Sequence, residues 1–238
     1  MELLSTGSLQ LDQFLYGGIR TGLITNIIGE SGSGKSQFCF TICANLLKKN
    51  ENASIIFIDT SGTFRPERIF EIKGDYSEKI LNNIKYFRPY SIQHQFDAIK
   101  KITNIKPNLI IIDSLTSLIA TENKHITRHL LLMKFVHELA HLAINNNCAV
   151  VTTNMIRNII STKPLPKTFN PKDLILKEDY QREKNSHKEF MQKSISLSVH
   201  MILKFEILSM NDNVYRASFL HPSINRSILF RITKNGII

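Results

Sequence analysis

The chain has no basic leader at its start, no apolar run approaching the roughly 18 residues of a membrane span, and no C-x-x-C pair. A secreted disulfide scaffold, a membrane helix and a redox dithiol are therefore not expected, and an intracellular place is. The three cysteines are Cys39, Cys43 and Cys148. The first two stand four apart on an apolar helical pattern, so they read as buried thiols. Internal repeats and low-complexity tracts are also missing. Acidic residues are in short supply: 20 Asp and Glu face 30 Lys and Arg, a net charge of +10 over 238 residues. Such an excess favours an anionic partner such as nucleic acid, although charge alone does not identify one. The length suits a single domain, residues 1–238, able to bury roughly 70% of its unfolded surface.

What is present begins with Gly29, Glu30, Ser31, Gly32, Ser33, Gly34, Lys35 and Ser36, which spell G-x-x-x-x-G-K-[ST]. The loop needs a strand before it and a helix after it. Residues 23–28 read as a short buried strand, and residues 37–49 carry apolar side chains at helical spacing. Both requirements are met, against the alternative of a chance match in an ordinary turn. Glycines let backbone N–H groups turn inward around phosphates, and the helix N-terminus adds its positive end. Lys35 would reach the β/γ-phosphates of ATP, and Ser36 would ligate Mg2+.

Further strands are expected at residues 54–58, 108–112 and 148–152, alternating with helical patterns. That alternation predicts an α/β fold with a mostly parallel sheet flanked by helices. Strand-like runs at 195–207, 214–220 and 227–232, divided by turn formers such as Asn211, Asp212 and Asn213, predict an antiparallel finish. The apolar run 109–112 ends in Asp113, the pattern of a Walker B strand whose carboxylate holds Mg2+ directly or through water. A capping Asp after a core strand is the plainer reading. The spacing downstream of the phosphate loop favours the metal.

Two other segments were weighed for chemistry. His137, Glu138 and His141 match H-E-x-x-H on a predicted helix. No clear third ligand follows, and apolar residues surround most of that helix, so these are read as structural or surface histidines. Residues 157–193 contain three of the seven prolines and nine Lys and Arg against five Asp and Glu. With Phe169, Tyr180 and Phe190 interspersed, this reads as a long mobile loop, either tracking a phosphate backbone or forming a solvated insertion.

Taken together, the motifs resemble the RecA-type recombinases in their RadA-like branch, over most of the chain. The resemblance rests on Ser5-Thr6-Gly7, Leu11-Asp12 and Gly17-Gly18-Ile19, on the run from Ile58 through Asp59, Thr60, Ser61, Gly62, Thr63, Phe64, Arg65, Pro66, Glu67 and Arg68 to Ile69, and on Asp113 to Ser117. Thr153-Asn154 and Phe230 to Thr233 with Gly236-Ile237 complete it. It implies a RecA-like P-loop core, ATP and Mg2+ as cofactors, Arg68 stacking on adenine, and DNA contact by residues 157–193.

Departures from the family pattern carry equal weight. Ser61 stands where the family has the catalytic Glu of Asp-Thr-Glu. Loss of a positioned general base costs about 10²–10⁴ in rate. Met155 replaces the Gln after Thr-Asn, which in the family senses the γ-phosphate and couples it to the DNA loop. Glu30 and Glu67 are nearby carboxylates, and neither occupies the family's base position. The chain starts at the core, without the family's N-terminal helical domain and polymerisation segment, and residues 122–128 are shorter and poorer in glycine and arginine than its first DNA-binding loop. The implied protein is similar to the short RadB-like paralogues. It would bind ATP, hydrolyse it weakly or not at all, and assist recombination and repair in the cytoplasm at the nucleoid. Its partners would be DNA, single-stranded in preference, and a full-length RadA-type recombinase or another paralogue, with no membrane. The alternatives are a DNA-dependent ATPase using a substitute base and a KaiC-like signalling ATPase without a DNA role.

Overall fold

A computed structural model describes residues 2–76, 78–156 and 199–238. The basic segment 157–193 expected to form a DNA-binding loop lies outside the described residues.

The chain opens with β1 (Leu3–Leu4), α1 (Leu9–Phe14) and β2 (Ile19–Arg20). Ser5, Thr6 and Asp12 of the opening motif act structurally. Asp12 accepts the Ser5 hydroxyl at 2.6 Å and the Thr6 amide and hydroxyl at 2.7 Å each, clamping the entry to α1, while Ser8 caps that helix.

The central strands and helices alternate as expected: β3 (Ile24–Gly29), α2 (Lys35–Lys49), β4 (Ile55–Asp59), α3 (Pro66–Lys73), β5 (Ile84–Phe87), α4 (Ile92–Ile102), β6 (Leu109–Asp113), α5 (His125–Asn146) and β7 (Ala149–Met155). The chain finishes with β8 (Met201–Ser209), β9 (Val214–His221), β10 (Ser227–Thr233) and β11 (Gly236–Ile237). Among the described residues, nine strands share one sheet in the order β11-β10-β9-β8-β3-β7-β6-β4-β5. Strands β3 to β7 pair in parallel, β8 joins β3 in parallel, and β8 to β11 are antiparallel.

The parallel strands are apolar along their whole length because both faces are covered. Ile55, Phe57, Leu109, Ile111 and Val151 point into one core beneath α1, α2 and α3. Ile56, Ile58, Ile110, Ile112 and Val150 point into a second, beneath α4 and α5. Period-two alternation thus sends neighbours in sequence to opposite layers. The three cysteines are free and buried, as read from the sequence. Burial raises each thiol, that of Cys148 to about 11.

Boundaries differ at two places. Helix α2 starts at Lys35 rather than 37, because Gly34 at φ +90° turns the chain directly into it. The run expected from 195 forms β8 from Met201 to Ser209, with Val199 and His200 outside the strand. No helix among the described residues is long and apolar enough to cross a membrane.

Candidate functional site

Four sheet strands end beside one another where the motifs lie. Strand β3 delivers Gly29, the first residue of the phosphate loop, opposite Met155 of β7 and Phe205 of β8. A Cβ on Gly29 would stand 2.4 Å from the Ser33 hydroxyl and 2.5 Å from the Phe205 carbonyl oxygen. Only glycine lets the loop fold so closely back on its strand. Gly34 then enters α2 in the left-handed region, and no side chain caps the helix. Its first N–H groups are left to an anion.

Lys35 is buried, and its ammonium donates to the carbonyls of Gly29 at 3.0 Å and Glu30 at 2.6 Å and to the Ser33 hydroxyl at 3.3 Å. The cation therefore lies folded over the loop whose amides would hold phosphate. Burial lowers its pKa from the ordinary lysine value, and the Asp113 carboxylate opposes that shift.

The carboxylate of Asp113 gathers three hydroxyls from three segments. Ser36 donates to its Oδ2 at 2.6 Å, Thr63 donates to the same oxygen at 3.0 Å, and Thr153 donates to Oδ1. Ser36 and Asp113, 77 positions apart, thus meet at the mouth of the phosphate loop. Hard oxygen donors of this kind, one anionic and three hydroxylic, fit Mg2+. Thr63 and Thr153 lie inside motifs quoted above, yet sequence reasoning gave them no role. The available signal was that Thr63 follows the end of β4 and Thr153 lies near the end of β7, the two strands that flank β6.

Asp59 organises the loop after β4. Fully buried, it accepts the backbone amides of Ser61, Gly62, Thr63 and Phe64, and its Oδ1 lies 3.1 Å from Arg88 Nη1. A carboxylate receiving the next few amides is the local turn that Asp favours. It fixes where Ser61 and Thr63 stand. Ser61 is exposed there, as are Glu30 and Glu67. Met155 ends β7 and is 49% exposed. Behind it, Asn154 and Thr152 donate to Asn26 Oδ1 at 3.2 and 2.8 Å, and Thr116 donates to Asn154 Oδ1 at 2.9 Å. This buried polar row couples β3, β7 and the turn after β6.

Arg68 on α3 reaches the first turn of α2. Its Nε donates to Gln37 Oε1 at 3.1 Å, its Nη1 to Glu71 at 2.6 Å and to the Lys234 carbonyl at 3.0 Å, and its Nη2 to the Thr233 carbonyl. The guanidinium is held by the turn between β10 and β11 and by Gln37, one residue beyond Ser36 in α2.

His137 and His141, by contrast, lie on the exposed side of α5. No group of three His, Cys, Asp or Glu side chains placed to hold a metal occurs among the described residues.

This mostly parallel sheet, with helices on both faces and a glycine loop at the end of a central strand, is a RecA-like P-loop core. The sequence profile of the Rad51 family matches residues 1–173, and the chain belongs to that family. It is 38% identical over 169 residues to a DNA repair and recombination protein RadA of Cenarchaeum symbiosum, covering 65% of this chain and 42% of that protein. It is 34% identical over 182 residues to the DNA repair protein rhp51 of Schizosaccharomyces pombe, covering 69% and 50%. A RadA of Ignicoccus hospitalis is 35% identical over 176 residues, covering 66% and 54%. The chain spans about half the length of these curated relatives.

Proposed function

We propose that this protein binds Mg-ATP at Gly29 to Ser36 and Asp113, hydrolyses it slowly or not at all, and assists homologous recombination and DNA repair as a paralogue of the strand-exchange enzyme. The observation that carries this reading is the pairing of Ser36 with Asp113 at 2.6 Å beside a Ser61 that has no carboxylate. Charge-holding groups are assembled, and the family's base is missing.

In this reading the loop amides and the start of α2 hold the phosphates, and Lys35 leaves its carbonyl partners for the β/γ-phosphate oxygens. Ser36 and Asp113 would hold Mg2+, whose chemistry is to neutralise phosphate charge. Asp59 keeps the Ser61 loop in place, and Arg68 presents a fixed planar cation to adenine. A serine hydroxyl does not take the proton of an attacking water at neutral pH, so occupancy outlasts chemistry. The nucleotide then acts as a ligand that sets a state.

The relatives' names support the recombination and repair role, and the net charge of +10 supports DNA as a partner. By sequence alone, residues 157–193 are the segment suited to phosphate contact, with single-stranded DNA favoured by the interspersed aromatics. A full-length RadA-type recombinase or another paralogue is the protein partner.

ATP binding and hydrolysis, measured on one sample with and without single-stranded DNA, test the reading. Tight magnesium-dependent ATP binding with little turnover supports it. Rapid DNA-stimulated turnover replaces it with an ATPase using another base, and ATP binding without salt-sensitive DNA affinity replaces it with a signalling role.

A further inference from the structure

Helix α5 buries Leu132, Phe135, Val136, Leu139, Leu142 and Ala143 in the second core. The opposite side of a 22-residue helix is thereby held rigidly outward. His137 and His141 stand one turn apart on that side, both exposed, with Nε2 atoms 3.0 Å apart and ring planes at 82°. A contact this short between ring nitrogens requires at least one to present a bare lone pair. Residues at i and i+4 on a packed helix keep their Cβ atoms about 5–6 Å apart, within reach of one ion.

The spacing is also within reach of a two-nitrogen chelate. Two imidazole nitrogens bound to one ion at about 2.0–2.1 Å, and 3.0 Å apart, subtend roughly 94° at the ion. That is close to the cis angle of a square-planar or octahedral centre. A tetrahedral ion, at about 109°, needs the nitrogens about 3.3 Å apart, which small rotations of two exposed rings also supply, so the choice among ions rests on their intrinsic affinity for imidazole. Imidazole suits late first-row cations, and Cu2+ and Ni2+ take tetragonal sites.

We propose that His137 and His141 form a two-nitrogen surface clamp for a tetragonal divalent transition-metal ion, Cu2+ in preference to Ni2+ and Ni2+ in preference to Zn2+. Two Nε2–metal bonds form and two metal-bound waters leave. The ring that donated in the His–His contact carries its proton on Nδ1 instead, and no electron is transferred. Glu138 points to a different flank of the helix, and no third side-chain ligand joins the pair among the described residues. Water completes the coordination, so the clamp binds metal without the base and third ligand of a zinc hydrolase.

The test uses the full chain without nucleotide, titrated with Cu2+ and followed by calorimetry and electron paramagnetic resonance. One equivalent is expected with two equatorial imidazole nitrogens. His137→Ala and His141→Ala should each weaken it at least 10-fold and remove the two-nitrogen signature, while leaving the circular dichroism spectrum unchanged, because both side chains are exposed. Ni2+ should raise the melting temperature of the parent protein and not of either variant. His200→Ala, at a histidine outside α5, is the control, and it should leave the Cu2+ site intact. Unchanged Cu2+ affinity in His141→Ala, loss of the site in His200→Ala, or tighter binding of Zn2+ than of Cu2+ would each overturn the proposal.

Discussion

The two ends of the nucleotide site are built differently. At the phosphate end, Lys35 and Asp113 are buried and Ser36, Thr63 and Thr153 converge on one carboxylate. At the end where water would attack, Ser61 and Met155 are exposed at the margins of β4 and β7. The first set is part of the packing between strand ends and α2, so changing it disturbs the fold as well as the chemistry. The second is not woven into the core, and its side chains can be exchanged at little structural cost. On the proposed function, binding and turnover would thus be separable by position.

The sharpest way to break the comparison is at the phosphate end. Lys35→Ala removes the cation and should weaken Mg-ATP binding by about 100-fold or more, as expected for a lost charge-assisted contact to phosphate. Calorimetry on the parent and the variant checks it, and equal affinities would mean that the loop does not hold phosphate. Asp59 supports both ends. Asp59→Ala orphans four loop amides and removes the carboxylate beside Arg88, which keeps its bond to the Asp59 carbonyl. A loss of about 3 kcal/mol is expected, lowering the melting temperature by about 10 °C. Circular dichroism melts read this directly, and an unchanged melt would show the loop to be independently ordered.

A smaller effect follows from the buried lysine. Because burial lowers the Lys35 pKa below its ordinary 10.5, the free protein loses this charge at alkaline pH before an exposed lysine would. ATP affinity should therefore fall as pH rises through the lowered value, by up to about tenfold per pH unit. The stability contribution has the opposite sign. Between the lowered folded value and the unfolded one, the unfolded chain binds more protons, so this residue makes stability rise with pH. Lys35→Arg, which stays charged, should flatten the affinity profile on the alkaline side. A profile as steep in the arginine variant as in the parent would assign the titration to another group.

Much of this arrangement was legible in the sequence because the parallel strands are buried on both faces and read as unbroken apolar runs, each followed by a polar residue. Gly29 to Ser36 and Asp113 were found in this way, since a phosphate loop and a carboxylate strand end are local patterns. The hydroxyl cluster on Asp113 was not found. Thr63 and Thr153 join it through strand register, with Asp59 opposite Asp113, and register is set by pairing across the sheet. The roles of Asp59 and of the row Asn26, Thr152 and Asn154 were hidden for the same reason. Arg68 was placed by resemblance, whereas its anchors at Thr233 and Lys234 lie more than 160 residues away. The start of β8 was misplaced because Val199 and His200 lie outside the strand, and the rest of the expected run, 195–198, is outside the described residues.

The exposed end offers the finest test. Ser61→Glu restores a carboxylate on a loop already fixed by Asp59, next to a site where Lys35, Ser36 and Asp113 supply phosphate and metal contacts. Turnover should rise about 10-fold, short of the 10²–10⁴ that a fully positioned base contributes, because nothing at Met155 reads the γ-phosphate. Met155 ends β7 opposite Gly29, so Met155→Gln places an amide at the first residue of the phosphate loop. Alone it should change turnover less than about threefold, since no base is present to use it. Combined with Ser61→Glu, it should add stimulation by single-stranded DNA that neither change gives alone, a coupling expected of groups that act as a unit. Steady-state phosphate release for the four proteins of this cycle, with and without DNA, measures the coupling. Strict additivity would show that the β4 and β7 ends act independently. Fast parent turnover that Ser61→Glu leaves or lowers would show that water is already activated elsewhere, and the separation between a binding end and a silent end would fail.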